Sequence, residues 1–183
     1  MGLLTVLKKT RSNEKSMRLL VLGLDHAGKT SIIKRLKGED VTTVSPTFGF
    51  DIFTLNYLDY NLNIWDIGGQ KSLRAYWRNY FEQTDGVVWV VDSSDEDRLE
   101  DCKQEFDKLL RKEKLMDATL LILSNKNDLL SSKSVDEISA HLGLELITRK
   151  YKIVSCSAIT GTGILDGIKW LVDDISSRMF ALQ

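Results

Sequence analysis

The chain has 183 residues, a formal net charge of −1 and a hydrophobic content of 43%. This length suits one domain with its own core, and the near-neutral charge argues against nucleic acid as a partner. The two cysteines, Cys102 and Cys156, form no metal-ligand pattern, and two free thiols indicate the reducing cytoplasm. No apolar run approaches the roughly 20 residues needed to cross a bilayer.

The first half of the chain alternates between strand and helix patterns. A short apolar run at 17–24 predicts a buried strand. Residues 28–38 have the pattern of a helix that ends at a glycine. Apolar and polar residues alternate in 50–58 and again in 60–67, with a short polar link between them, so these two runs predict a β-hairpin.

The second half continues the alternation. Strands are predicted at 86–94, 118–128 and 152–158, and helices at 95–114, 134–143 and 163–180. The continuous β-branched run at 86–94 is typical of a strand covered on both faces. Ser134, with Glu137 three residues later, predicts a capped helix start. Strand–helix alternation of this kind predicts an α/β fold with a mostly parallel sheet and helices on both faces.

The stretch GLDHAGKT lies between the first strand and the first helix, which is the context of a phosphate-binding loop. Backbone N–H groups of such a loop, together with the helix N-terminus, surround phosphate oxygens. Lys29 would reach the outer phosphates and the Thr30 hydroxyl would bind Mg²⁺. An ordinary glycine turn is the alternative, which the strand–loop–helix context disfavours. The residues expected at the phosphates are Gly23, Asp25, His26, Ala27, Gly28, Lys29, Thr30 and Ser31.

The stretch WDIGGQ ends the second hairpin strand, so Asp66 is expected at the sheet edge where open parallel sheets bind ligands. Asp66 could hold Mg²⁺ through water, and Gly69 could offer its N–H to a terminal phosphate. Gln70 is the candidate catalytic residue, because it could orient an attacking water. Alone the stretch is a common turn, but after a phosphate loop it is a strong signal.

Two further stretches follow predicted strands and suggest recognition of a base. In NKND, Asp128 could accept hydrogen bonds from N1 and N2 of guanine, a donor pair that adenine lacks. Asn125 could support the loop, and the stem of Lys126 could lie along the ring. In SCSA, Ser157 and Ala158 are expected near the base, with the Ala158 N–H facing guanine O6. Taken alone, NKND fits a solvated polar turn equally well, and SCSA by itself is weak evidence.

Together these stretches resemble the small GTPase superfamily over essentially the whole chain. GLDHAGKT, SPTFGF, WDIGGQKSLRAYWRNYF, NKND and CSA are similar to segments of the ADP-ribosylation-factor family, and MGLLTVLKK and WLVDDISSRMF resemble its ARF-like protein two branch. The resemblance implies a P-loop GTPase fold (G domain) at 17–183, with a six-stranded, mostly parallel sheet and one antiparallel strand. It also implies a short N-terminal amphipathic helix at 1–16, and a second Mg²⁺-binding threonine, Thr47, in the GTP state.

The sequence departs from the family pattern in three places, one of which is the loop DLLSSKS, which lacks the proline usual after the base-specifying aspartate. His26 stands in the phosphate loop where asparagine is usual, and we interpret it as a surface substitution and not as a catalytic histidine. Asp51 also replaces a usual asparagine and could alter effector contacts.

The N-terminus raises the question of membrane contact. Gly2 invites myristoylation, but Val6 stands where the acceptor pattern has serine or threonine, so lipidation stays open. Leu3, Leu4 and Leu7 form a short apolar stripe, which in the wider family inserts into membranes in the GTP state. The alternative is a helix docked in a groove of its own domain. So short a stripe predicts at most weak membrane contact and a cytoplasmic protein.

These features predict a guanine-nucleotide-dependent switch that binds GTP or GDP with Mg²⁺ and hydrolyses GTP slowly. The resemblance implies GTPase-activating and exchange factors, and a hairpin at 50–66 that shifts register between nucleotide states. Effectors would bind the switch and interswitch surface, where Phe50, Trp65 and Tyr80 are candidates, although core packing is the alternative for at least one. The branch implies tubulin folding cofactors and lipid-binding carriers of lipidated cargo as partners.

Two other functions compete with this interpretation. A nucleotide kinase would need an arginine-rich lid and an acceptor site, and the sequence shows neither. A nucleotide-locked scaffold would not need Gln70. The stretch at 38–50 contains no arginine or lysine, so slow hydrolysis that needs a partner is expected. Arg74 and Arg78 are interpreted as a partner-facing basic strip beside Tyr76 and Trp77.

Overall fold

The computed structural model describes residues 15–181. Within this range the chain forms six strands: β1 (Ser16–Leu22), β2 (Phe50–Tyr57), β3 (Tyr60–Ile67), β4 (Gly86–Asp92), β5 (Thr119–Asn125) and β6 (Tyr151–Ser155). It also forms four α-helices: α1 (Lys29–Lys37), α2 (Leu99–Leu110), α3 (Val135–Leu142) and α4 (Ile164–Ala181). Short 3₁₀-helices span Arg74–Tyr80, Glu96–Arg98, Glu113–Leu115 and Leu144–Leu146.

The strands form one sheet in the order β2-β3-β1-β4-β5-β6. β2 and β3 pair antiparallel, and every other neighbouring pair is parallel. The predicted sheet is therefore confirmed. The expected N-terminal helix lies outside the described residues, apart from residues 15 and 16, and Ser16 already belongs to β1. Among residues 15–181, no helix combines the length and apolar character needed to cross a bilayer.

Helices cover both faces of the sheet because side chains alternate along each strand. Leu20 and Leu22 of β1 pack with Phe106 of α2 on one face. Leu19 of β1 packs with Ile168 of α4 on the other face, where α1 also lies. Each such fully buried side chain contributes about 1.5–3 kcal/mol from apolar burial. The sheet thus holds the carboxyl ends of β1, β3, β4 and β5 in fixed relation.

The helix ends follow the sequence signals. α1 ends at Gly38, whose φ of 73° is the left-handed cap that glycine adopts readily. α3 begins with the capping box in which Ser134 and Glu137 each bond the other's backbone N–H. α2 is shorter than the predicted 95–114, because the Asp95 side chain caps a separate 3₁₀ turn through the Arg98 N–H.

The 3₁₀-helix Arg74–Tyr80 was not predicted from the sequence. Residues three apart lie on the same side of such a helix, so Arg74 and Trp77 both face the core and are buried. Trp77 packs edge-on against Trp89 at 5.8 Å between ring centroids, and its Nε1 donates to the Gly68 carbonyl at 2.9 Å. The interpretation of Arg74 as part of a partner-facing basic strip is therefore wrong, and Trp77 beside it is buried, whereas Tyr76 and Arg78 are exposed.

Candidate nucleotide-binding site

The phosphate loop connects β1 to α1, and its backbone has positive φ at two glycines, Gly23 and Gly28. Gly28 precedes α1 with φ of 94°, which L side chains rarely adopt. A Cβ there would also lie 2.3 Å from Asn125 Nδ2, so only glycine fits. The first N–H groups of α1 consequently face the space beside the loop, as anion binding at a helix N-terminus requires.

Lys29 is the buried cation of this loop. Its Nζ donates to the carbonyl oxygens of Gly23 at 3.1 Å and Leu24 at 2.8 Å. Burial lowers the pKa of Lys29 to about 8, although the negative charges of Asp66 and Asp25 act to raise it. An anionic phosphate beside Nζ would oppose this effect of burial and favour the ammonium form.

Three oxygen-bearing side chains meet beside Lys29. Thr30 Oγ1 donates to Asp66 Oδ2 at 2.5 Å, and Thr47 Oγ1 lies 2.9 Å from Thr30 Oγ1 and 3.2 Å from Asp66 Oδ2. Asp66 is fully buried, and its Oδ1 has no hydrogen-bond partner among the described residues. Burial raises the pKa of Asp66, although the hydrogen bond from Thr30 acts to lower it. The negative charge of Asp51, which pairs with Asp66 across β2 and β3, raises this pKa further. Hard oxygen ligands around an unmet carboxylate fit Mg²⁺.

The turn that carries Gln70 lies directly against the phosphate loop. The Gly69 carbonyl accepts from the Asp25 N–H at 3.2 Å. A Cβ on Gly69 would lie 2.3 Å from the Gly23 carbonyl oxygen, so this close approach requires glycine. Gln70 lines the same cavity of about 360 Å³ as Lys29. Of the predicted site residues, this cavity is lined by Asp25, His26, Gly28, Lys29, Thr30, Ser31, Thr47, Gly69, Gln70 and Lys126.

Sequence reasoning missed the residue that holds this turn in place. Arg74 Nε donates to the Gly69 carbonyl at 2.9 Å, and its Nη1 donates to both carboxylate oxygens of Asp101, at 3.0 and 2.9 Å. Its Nη2 lies 3.5 Å from Asp25 Oδ1, which also accepts from Arg98 at 3.1 Å. Arg74 therefore ties the turn to α2 and to the phosphate loop, and no single motif in the sequence indicates this.

Asn125 connects three loops that lie far apart in the sequence. Its Nδ2 donates to the Ala27 carbonyl at 2.8 Å, and its Oδ1 accepts from the Ala158 N–H at 3.0 Å. The N–H expected to face guanine O6 is thus already bonded, and a base would have to share this bond or replace it. The Ser157 hydroxyl accepts from the N–H groups of Ile159 and Thr160, both at 3.1 Å, which orders the same loop.

The remaining residues of NKND lie at the mouth of the site. Lys126 has φ of 71°, and its Nζ donates to Asp92 Oδ2 at 2.5 Å. Although burial acts against it, this hydrogen bond helps hold the pKa of Asp92 below its ordinary value. Ser93 Oγ donates to the Asn125 carbonyl at 2.6 Å. Asp92 and Ser93 were missed as supports of this loop. Asp128 is exposed, and its carboxylate forms no hydrogen bond or ion pair within residues 15–181.

His26 lies at the edge of the cavity with a left-handed φ of 63°. Its Nδ1 is 3.0 Å from Asp25 Oδ2, and 71% of its side chain is exposed. The position agrees with a surface substitution that contacts its neighbour.

Comparisons with known proteins agree with this geometry. The sequence model of the ADP-ribosylation factor family matches residues 3–175. The chain is 57% identical to ADP-ribosylation factor-like protein 2 of Dictyostelium discoideum and 55% identical to that of Arabidopsis thaliana, over the full length of both chains in each case. It also resembles the structure of the Arl6 BBS3 small GTPase from Trypanosoma brucei with the bound nucleotide analogue GppNp. That match has a TM-score of 0.82 at 28% identity and covers 88% of this chain and 98% of the other.

The match to this family and the geometry of the phosphate loop lead to the same conclusion. The chain belongs to the ADP-ribosylation factor family, whose small GTPases bind GTP or GDP with Mg²⁺ and hydrolyse GTP.

Proposed function

We propose that this GTPase is a slow molecular switch whose phosphate and metal residues act as the sequence predicts. The meeting of Thr30, Thr47 and Asp66 within 2.5–3.2 Å of one another, beside Lys29, carries this proposal. Thr47 belongs to a loop distant in sequence from Thr30, so its contact fits a state in which that loop has closed on the site. When bound, Mg²⁺ neutralises charge on the outer phosphates.

The phosphate and base contacts divide between the two ends of the cavity. At the phosphates we assign the N–H groups of the loop and of Gly69, together with the ammonium of Lys29. Thr30 and Thr47 would hold Mg²⁺ directly, and Asp66 would hold it through water. At the base, the unpaired carboxylate of Asp128 selects guanine, and Lys126 lies along the ring. Asn125, Ser157 and Ala158 fix the loops that surround the base.

Gln70 orients the attacking water, but no arginine of residues 15–181 lines the cavity to join Lys29 in stabilising the developing charge. Residues 38–50 contain no lysine or arginine. The guanidinium of Arg74 is already bonded to Gly69 and Asp101. An arginine supplied by a partner raises the rate of GTP hydrolysis by roughly 10³–10⁵ in related enzymes. We therefore expect slow intrinsic GTP hydrolysis that a partner accelerates.

A single-turnover assay on purified protein tests this proposal. We expect a rate on the order of 10⁻³ s⁻¹ or below without a partner. Gln70→Leu should lower partner-stimulated turnover far more than GTP affinity, whereas Gln104→Leu, an exposed change on α2, should alter neither. Partner-free turnover near about 1 s⁻¹ would mean that the chain contains a catalytic cation after all.

We further propose that effectors bind the GTP form through an aromatic cluster, which consists of Phe50 on β2, Trp65 on β3 and Tyr80 on the 3₁₀-helix. Phe50 stacks on Trp65 at 5.4 Å and contacts Tyr80 at 5.1 Å, and 43% of Phe50 is exposed. The resemblance of the sequence to the ARF-like protein two branch supports lipid-binding carriers and tubulin folding cofactors as the partners. Affinity capture with GTP-loaded and GDP-loaded protein, followed by mass spectrometry, tests this. Equal capture of these partners by both forms would contradict a switch.

We also propose that the N-terminal segment makes at most weak membrane contact, with the protein in the cytoplasm. The short leucine stripe of this segment supports the proposal. Sedimentation with vesicles tests it, and stable binding by unlipidated protein would contradict it.

A further inference from the structure

The chain contains two histidines, and His26 is the one that lines the nucleotide cavity. It lies in the phosphate loop, two residues before the glycine that precedes α1. Most of its side chain is exposed, so the ring can exchange protons with solvent. Histidine is the side chain whose charge ordinarily changes between about pH 5 and 8. A ring in this place can therefore change the charge of the phosphate loop near neutral pH.

The contact between His26 and Asp25 determines which ring nitrogen gains a proton. His26 Nδ1 lies 3.0 Å from Asp25 Oδ2. Because a carboxylate only accepts hydrogen bonds, Nδ1 carries the proton of this bond. The other nitrogen, Nε2, forms no hydrogen bond with any residue of 15–181, so it is the atom that takes up the second proton. Protonation at Nε2 leaves the bond to Asp25 intact.

Asp25 is a carboxylate that several groups share. Its Oδ1 is 3.1 Å from Arg98 Nη1 and 3.5 Å from Arg74 Nη2, while its Oδ2 faces His26. Although burial acts to raise it, the hydrogen bond from His26 and the charge of Arg98 hold the pKa of Asp25 below its ordinary value. Asp25 is therefore an anion at neutral pH, and it lines the same cavity as Lys29.

The charges around Asp25 balance only when His26 is protonated. Arg98 also pairs with Asp95 at 2.6 Å, and Arg74 pairs with Asp101 at 2.9 Å. The network thus has three carboxylates but two guanidinium groups. The other charged groups nearby form pairs of their own, namely Lys29 with Asp66, Lys126 with Asp92 and Lys108 with Glu105. With a neutral imidazole, one negative charge beside the phosphate loop stays uncompensated.

This uncompensated charge lies where it repels the ligand. The N–H groups at the start of α1 and the ammonium of Lys29 attract phosphates, whereas the Asp25 carboxylate in the same cavity acts against them. An imidazolium at His26 offsets that carboxylate and adds a positive charge to the loop. The backbone already has the φ of 63° at His26, so a change of protonation needs no rearrangement of the loop.

We infer that His26 controls how long nucleotide stays bound: when protonated, it offsets the Asp25 carboxylate and slows the release of GDP and GTP. This inference rests on the proposed function, because it needs the phosphates to lie beside the loop. It gives His26 the role of a positioning residue that acts on affinity and takes no part in the chemical step.

The test is the rate of nucleotide release at two pH values. Full-length protein is loaded in Mg²⁺ with fluorescent GDP or a fluorescent non-hydrolysable GTP analogue, and excess unlabelled nucleotide starts the release. We expect the unmutated protein to release both about fivefold more slowly near about pH 6 than near about pH 8. In His26→Asn, in which asparagine tolerates the left-handed backbone, this ratio should fall to near one. Titration of the phosphates themselves is common to all variants, so an equal ratio in both proteins would overturn the inference.

A permanent cation provides the opposite variant. His26→Lys should release nucleotide slowly at both pH values, and Lys126, with φ of 71°, shows that lysine adopts this backbone in the same protein. Fast release from His26→Lys near about pH 8 would overturn the inference. The matched control is His141→Asn on α3, whose ring is 3.9 Å from Glu100 and does not line the cavity. His141→Asn should keep the pH ratio of the unmutated protein, and a loss of that ratio would assign the effect to His141 and overturn the inference.

Lys29→Met separates a failure of this inference from a failure of the proposed function. If Lys29→Met folds and binds nucleotide as tightly as the unmutated protein, the phosphates do not lie at this loop and the role of His26 fails with their position. If Lys29→Met loses affinity while the pH ratio is the same with and without His26, the position of the phosphates stands and the role of His26 alone is wrong.

Discussion

Asp128 shows how one exposed carboxylate can decide the choice of base. Its oxygens are not engaged by any other described residue, so two acceptors remain for a ligand. The Asp92–Lys126 pair and the Ser93 bond to Asn125 fix the loop that presents it. We therefore propose that base specificity depends on this carboxylate, which the fold positions and leaves without a partner among the described residues.

Asp128→Asn should shift the nucleotide preference from guanine toward xanthine. The amide can donate to the carbonyl that xanthine carries at position 2, whereas guanine N2 then meets a donor. We expect a change in the GTP/XTP affinity ratio of about a hundredfold, measured by displacement of a fluorescent nucleotide. Asp136→Asn, at an exposed position in the first turn of α3, should leave the ratio unchanged. Equal affinity of the unmutated protein for GTP and XTP would contradict the role of Asp128.

Arg74 and Arg78 lie on the same 3₁₀-helix but should behave differently on substitution. Arg74→Ala leaves Asp101 without its bidentate partner and frees the Gly69 turn, so we expect a loss of about 3 kcal/mol in unfolding free energy. Intrinsic GTP hydrolysis should also slow, because Gln70 is no longer held. Arg78→Ala should change stability by no more than about 0.5 kcal/mol. Urea unfolding and single-turnover rates measure these effects, and equal stability losses would refute the assignment.

At the scale of elements, α4 is attached to the start of β5 through a buried carboxylate. Asp174 accepts from Thr119 at 2.6 Å and forms ion pairs with Lys150 and Arg178, while only 5% of its side chain is exposed. Although burial raises it, the hydrogen bonds from Lys150 and Thr119 hold the pKa of Asp174 below its ordinary value. The neighbouring Asp173 is 54% exposed.

Asp174→Asn should lower the unfolding free energy by about 2 kcal/mol at neutral pH, because hydrogen bonds to a charged group are lost. The folded-state pKa is below the unfolded one, so this stabilisation is present above about pH 4 and disappears as the pH falls through the folded-state value. The variant and the unmutated protein should therefore converge in urea unfolding at low pH. Asp173→Asn should stay within about 0.5 kcal/mol throughout. A difference that is independent of pH would exclude the charge as its cause.

The elements show what sequence patterns can and cannot predict. The hairpin and the capping box of α3 depend on neighbouring residues, so alternation and the Ser134–Glu137 spacing predicted them. The 3₁₀-helix at Arg74–Tyr80 depends on tertiary contacts, namely Trp77 with Trp89 and Arg74 with Asp101. Exposed and buried residues alternate there with a period of three, which a seven-residue stretch displays too briefly to distinguish it from a loop.

For the molecule as a whole, the motifs indicated which stretches form the site, but not how the stretches are joined. Each loop follows a strand, so their common position at one sheet edge could be predicted from topology. The hydrogen bonds of the Asn125 side chain to Ala27 and Ala158 could not be predicted, because they depend on the exact positions of three loops relative to one another. The pairing of Lys126 with Asp92 was invisible for the same reason.

Removal of Mg²⁺ should destabilise the whole molecule when nucleotide is bound. A ligand at a thousand times its Kd adds about 4 kcal/mol to the unfolding free energy, which corresponds to a Tm about 10 °C higher for a chain of this size. Chelation with EDTA should remove most of this gain from the GTP-loaded protein. Asp66→Asn should make Tm nearly insensitive to EDTA, while Asp59→Asn, at the exposed hairpin tip, should respond like the unmutated protein. An EDTA effect of unchanged size in Asp66→Asn would show that Asp66 takes no part in holding the metal.

The bridging role of Asn125 has a consequence for how the protein is made. Its amide joins Ala27, 98 residues earlier, to Ala158, 33 residues later. A chain emerging from the ribosome exposes its phosphate loop first, yet the pocket is completed only after β6 has joined the sheet and the following loop has closed. Nascent chains therefore pass through most of their synthesis without a ligand to stabilise them, and the cellular GTP supply acts on folding only at its final step.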